Sequence, residues 1–121
     1  MTIFEFLAAR LNERETIAAA AHGIWQADFE GNIVDVSYAA YLAVGPYGNG
    51  IDDATRAHIL LNDPARVLRE VEADREILAM ADRAVNGIDA DMAVSDALDR
   101  VLRLRAAAYS DHPDYRQEWA A

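Results

Sequence analysis

Apolar residues recur along this chain with two different periods, and the change between them organises the reading. Phe4, Leu7, Leu11 and Ala18 fall three, four and seven residues apart, with Ile3 and Ile17 beside them, which predicts a helix over residues 2–21. Thr2-Ile3-Phe4-Glu5 has the form of a capping box: the Thr2 hydroxyl can accept from the Glu5 amide while Glu5 reaches back to the Thr2 amide. Arg10, Glu13 and Arg14 are expected to face water, and Gly23 to end the helix.

From Ile24 the pattern shortens. Trp25 to Phe29 and Ile33 to Val36 are rich in aromatic and β-branched residues on either side of Glu30-Gly31-Asn32, which predicts a hairpin. Tyr41-Leu42-Ala43-Val44 adds a third strand. A β meander over 24–44 is too small to stand alone and must pack on helices. Residues 45–51 form a loop by their glycine content.

Helical spacing then returns. Asp52 or Asp53 can cap a short helix over 53–61. Asp63 suits the N-cap and Pro64 the first turn of a long helix over 64–86. Its stripe is Val67, Leu68, Val71, Leu78, Ala81 and Val85, and Asp74 interrupts it. Asn86-Gly87 is a stop signal. Asp89 or Asp91 can start a further helix over 90–109, whose short connection favours an antiparallel hairpin with its predecessor. A short turn over 113–119 closes the chain. The expectation is one 121-residue domain of the α+β class, mainly α. It has four to five helices, a long antiparallel helical hairpin and a small two- or three-stranded antiparallel meander.

Composition narrows the function classes. The chain carries 21 acids against 11 bases, a net charge of −10, and every base is arginine. A field of this sign repels phosphate backbones, so direct nucleic-acid binding is not expected. Cysteine is absent, which removes disulfides and thiolate metal sites. No basic residue precedes the first apolar stretch, so no signal peptide is expected. No apolar run reaches the ~20 residues of a membrane helix, so no membrane association is expected either. A cytoplasmic location follows as the expectation.

Little in the sequence supports chemistry. His58, His112, Asp63, Asp111 and Asp114 are the weak candidates for a catalytic or metal site, but no HExxH or His-x-His pattern accompanies them. Asp111-His112-Pro113-Asp114 sets an imidazole among carboxylates. Helix capping and turn formation account for the same residues. The glycine loop lacks GxxxxGK[ST], and two aspartates open the helix after it, which disfavours a phosphate. None of Ser37, Ser95 and Ser110 sits in a GxSxG elbow. No cofactor and no metal are expected. The aromatics divide: Trp25 and Tyr41 are expected in the core. Tyr47, Tyr115 and Trp119 are the candidates for an interaction surface, although Trp119 can equally anchor the tail.

Two segments carry a family resemblance. They are Ala57-His58-Ile59 with Asn62 to Ala73, and Tyr109-Ser110-Asp111-His112-Pro113-Asp114-Tyr115-Arg116-Gln117-Glu118-Trp119. With Phe6 to Leu11 and Trp25, they resemble domain-of-unknown-function family 6221, short proteins of actinobacteria and their phages, over nearly the whole chain. The resemblance implies a bacterial or phage cytosolic origin and carries no activity with it. Many such proteins have a histidine where Asn62 stands and a cysteine-containing insert between the last two long helices. Here that region, residues 86–96, has no cysteine.

The leading expectation is therefore a non-enzymatic protein–protein interaction or regulatory module. Its partner is a second copy of the chain or a basic host protein, the latter if a phage protein acts on a host factor. The alternatives are a small hydrolase or metal-dependent enzyme using the His and Asp residues above, and a small-molecule binding module built on Trp25, Tyr41 and Tyr47.

Overall fold

A computed structural model describes residues 1–21, 23–37, 40–45, 50–87 and 91–120. Among them the order is α1 (Ile3–Ala21), β1 (Trp25–Ala27), β2 (Ile33–Asp35), β3 (Ala40–Ala43), α2 (Asp53–Leu61), α3 (Pro64–Asn86) and α4 (Met92–Ala107). A single 3₁₀ turn, Gln117–Trp119, follows. The class is α+β, mainly α, with a three-stranded antiparallel sheet of order β1-β2-β3.

Local chemistry sets the helix ends. At α1 the Glu5 amide donates to Thr2 Oγ1 at 3.1 Å and the Thr2 amide to Glu5 Oε2 at 3.4 Å, closing the capping box. Asp52 caps α2 by accepting from the Thr55 amide at 3.0 Å. Asp63 caps α3 by accepting from the Arg66 amide at 2.8 Å, with Pro64 in the first turn, where its missing N–H is harmless. Asp91 caps α4 through the Ala93 and Val94 amides. The other expected starter of this helix, Asp89, lies outside the described residues. Gly23, just beyond α1, has φ +117°, and a Cβ there would run into the Asp35 carboxylate.

The chain forms two compact units, with boundaries that fall inside α1 and α3. The helical unit contains residues 1–14 and 71–121. The ion pair of Asp74 with Arg105 and the short connection from Asn86 to Met92 run α3 and α4 antiparallel. Phe6, Leu7, Ala81, Leu102, Ala106 and Trp119 are its buried core.

Phe6, outside the expected stripe, is the hub of this core. Its ring centroid lies 5.0 Å from Trp119, 6.1 Å from Tyr115, 6.3 Å from Tyr109 and 5.7 Å from the His112 imidazole. Most of these contacts are edge-on, the arrangement that ring quadrupoles favour. Arg10 is also inside, at 5% exposure, and not in water as expected. It sits one turn after Phe6, so it shares that face of α1. Its guanidinium lies 5.1 Å from the Phe6 ring centroid, donates to Glu13 Oε1 at 2.9 Å and meets the His112 ring. The expected turn over 113–119 is helical only at Gln117–Trp119. Ahead of it the Asp114 amide donates to His112 Nδ1 at 3.0 Å, so a side chain takes the donor that a continuing helix would use.

The sheet unit contains residues 15–70. Asp28 organises the β1–β2 turn: its Oδ1 accepts from the Glu30 and Asn32 amides, both at 2.9 Å. Trp25 pairs with Asp35, Gln26 with Val34 and Ala27 with Ile33. β3 continues these rows, Val34 facing Tyr41 and Ile33 facing Ala43, with an irregularity between them. Ile33, Asn32 and Asp35 are buried. The two polar groups are satisfied: Asn32 Oδ1 accepts from the Gly45 amide, and Asp35 Oδ1 accepts from the Ile24 and Ser37 amides. α2 packs on β1. Arg56 ties it down by donating to the Ile51 carbonyl at 2.7 Å and to the Gly31 carbonyl at 3.4 Å.

Candidate functional site

The sheet unit leaves a large share of its apolar residues uncovered. Residues paired across antiparallel strands share a face, so Gln26, Val34 and Tyr41 form one row. Tyr41 is 64% exposed, which corrects the expectation of a core position. The reason is topological: β3 is an edge strand, and its row faces away from buried Ile33 and Asp35. Phe29, at the tip of the β1–β2 turn, is 97% exposed. Ile24, Leu42, Val44 and Leu61 are exposed as well, and α2 has no buried residue. Trp25, the other aromatic expected in the core, is only half-buried, and its buried indole N–H finds no hydrogen-bond partner among the described residues.

Carboxylates outnumber cations in the same stretch of the chain. Between Ile24 and Asp63 the sequence has six carboxylates and one arginine, Arg56. Glu30, Asp52 and Asp53 are exposed, and Arg56 is engaged by Asp53 and by the two carbonyls that it caps. The Thr55 backbone amide, with the Thr55 side chain, holds the Asp52 carboxyl below the usual carboxylate value of 3.8. Aromatic and aliphatic groups beside carboxylates suit a surface that presents both apolar and cationic groups.

The catalytic candidates are placed differently. His58 is exposed on α2, and its carbonyl accepts from the Asn62 side chain. Asp63 is occupied as the α3 cap. His112 is half-buried against Phe6 and Arg10, while Asp111 and Asp114 are exposed beside it. His58 and Asp63 belong to the sheet unit, and the other three to the helical unit. Among the described residues, no group of three or more His, Asp or Glu side chains could hold a metal ion. No helix among them is long and apolar enough to cross a membrane.

Of the interaction candidates, Trp119 is 6% exposed and Tyr115 half-buried, their rings 5.7 Å apart in the Phe6 core. Both rings are used within the chain. Tyr47 lies outside the described residues. Phe29, Ile24 and Val44 were not singled out by the sequence, where such residues in a strand-like pattern signal core. The available signal was the size of the meander: strands of three or four residues have too little area to cover them.

Comparison with curated proteins and with solved structures finds no match. A family model matches residues 1–121. The chain belongs to that family, the family of unknown function DUF6221.

Proposed function

We propose that the chain is a non-enzymatic protein-binding module whose sheet unit docks a basic partner protein. The observation that carries this reading is the exposure of Phe29, Tyr41, Ile24 and Val44 on one small unit. Single exposed apolar residues are ordinary, but several on a unit of this size, flanked by carboxylates, mark a surface that gains by being covered. Cationic groups on the partner would complement Glu30, Asp52 and Asp53. A second copy of the chain is a poorer occupant, because it would set one net charge of −10 against another. The proposal places the chain in a bacterial cytoplasm, that of the host if the gene is carried by an actinobacterial phage, where the partner is a host factor.

The test is affinity capture from host lysate with the wild-type chain and a Phe29→Ser/Tyr41→Ser double variant. Each is run at about 50 mM and about 500 mM salt, since added salt screens exposed charge pairs. The expected result is a basic protein that the wild type retains at low salt, that is reduced at high salt and that the double variant loses. Equal retention by the double variant, or capture of acidic proteins only, contradicts the reading.

A further inference from the structure

The helical unit contains a cavity of about 290 Å³ between α1, α3 and α4. Leu7, Leu11 and Leu102, all buried, line it together with Ile77 and Tyr109. Close-packed interiors leave few voids larger than a water molecule, and an empty apolar void forfeits the contacts that its lining would otherwise make. Among the described lining residues only Arg105 and Ala108 are exposed, three residues apart at the C-terminal end of α4, so the cavity opens there. Arg105 is one of three charged residues in the lining, with Arg14 and Asp74. All three are engaged within the chain. Asp74 Oδ1 lies 2.9 Å from Arg105, its Oδ2 lies 3.9 Å from Arg14, and Arg14 has a further interaction of its own.

We propose that this cavity binds a small, neutral, apolar molecule built on one or two rings. The volume is at the lower end of ligand pockets, which calls for a small ligand. An apolar cavity of about 150 Å³ already holds a benzene-sized molecule, so this one has room for a second ring or a short substituent. The leucine and isoleucine side chains reward apolar surface, and Tyr109 supplies a ring for aromatic contact. The charged residues select against ions. Their carboxylate and guanidiniums are already paired, so a charged ligand would give up its water without gaining a free counter-charge, whereas a neutral one loses nothing. This site lies within the helical unit and does not depend on the sheet-unit reading.

The probes are indole, indole-3-acetate and tryptamine, a neutral, an anionic and a cationic ligand with one ring system in common, added to the full chain. Binding is read by calorimetry and located by methyl chemical shifts. Indole is expected to bind most tightly and to shift Leu7, Leu11, Ile77 and Leu102 while leaving Val34, Leu42 and Val44 unmoved. Both charged probes should bind about tenfold more weakly, the cost of drying a charge that finds no partner. Indole affinity should be the same at about 50 mM and about 500 mM salt, because no ligand charge is there to be screened. Ala108→Phe, at the mouth, should weaken indole about tenfold or more by closing the entrance and filling part of the space. Ala108 is exposed, so this variant should fold, and the methyl shifts of the wild type decide the location without it. No indole binding, a charged probe that binds as tightly as indole, shifts confined to the sheet unit, or unchanged indole affinity in folded Ala108→Phe would each overturn the proposal.

Discussion

The two compact units use their aromatic residues in opposite ways. In the helical unit Phe6, Tyr109, Tyr115 and Trp119 turn inward and close on one another around Phe6. In the sheet unit Phe29 and Tyr41 turn outward, and Trp25 is only half covered. The difference follows from area. Three long helices and an aromatic tail enclose a hub, whereas three strands of three or four residues and one nine-residue helix cannot. The lesson is that the tail segment Tyr109 to Trp119, for all its distinctive composition, has a structural task. The uncovered apolar surface is elsewhere.

Stability measurements can break this contrast. Phe6→Ala should destabilise the chain by about 3–5 kcal/mol in urea unfolding, because it removes the ring on which the others converge. Trp119→Ala should cost nearly as much, about 3 kcal/mol, by unfastening the tail from the same core. Phe29→Ala should change stability by no more than about 0.5 kcal/mol, although it deletes the same side chain as Phe6→Ala. If the two phenylalanine variants behave alike, the contrast between the units is wrong.

Smaller effects separate backbone shaping from chemistry. Asp63→Ala should cost about 1 kcal/mol through loss of the α3 cap. His58→Ala, at an exposed site, should stay within about 0.5 kcal/mol. The smallest effect concerns acid. Because the carboxyl of Asp52 is held below 3.8 in the folded chain, its cap contribution is fully present above that pH and is lost as pH falls further. An acid titration of helical ellipticity should therefore show a small extra loss below pH 3.8 in the wild type that Asp52→Asn lacks.

Legibility in the sequence tracked the range of the interaction. The capping box at Thr2 and Glu5, the Asp63-Pro64 start of α3 and the turn at Asp28–Asn32 involve residues two to four apart, and local chemistry decides them. Phe6 and Arg10 were hidden because α1 is apolar on more than one face, and only the tail, about a hundred residues away, decides which face it buries. A cation placed one turn from Phe6 looks solvent-facing until His112 and the Phe6 ring are known to surround it. Tyr41 was misjudged for a related reason. Alternation in a short strand shows that two faces differ, but not which one a helix covers. The exposed surface was legible only as an excess of apolar residues over what the short strands can cover.

Hydrogen exchange on the full chain, alone and bound to the basic protein that it captures, tests the central claim most directly. The account predicts slowed exchange in residues 24–44, strongest around Phe29 and Tyr41, with α4 unchanged. Slowed exchange confined to Met92–Ala107 or to the tail after Pro113, with 24–44 unaffected, would contradict it.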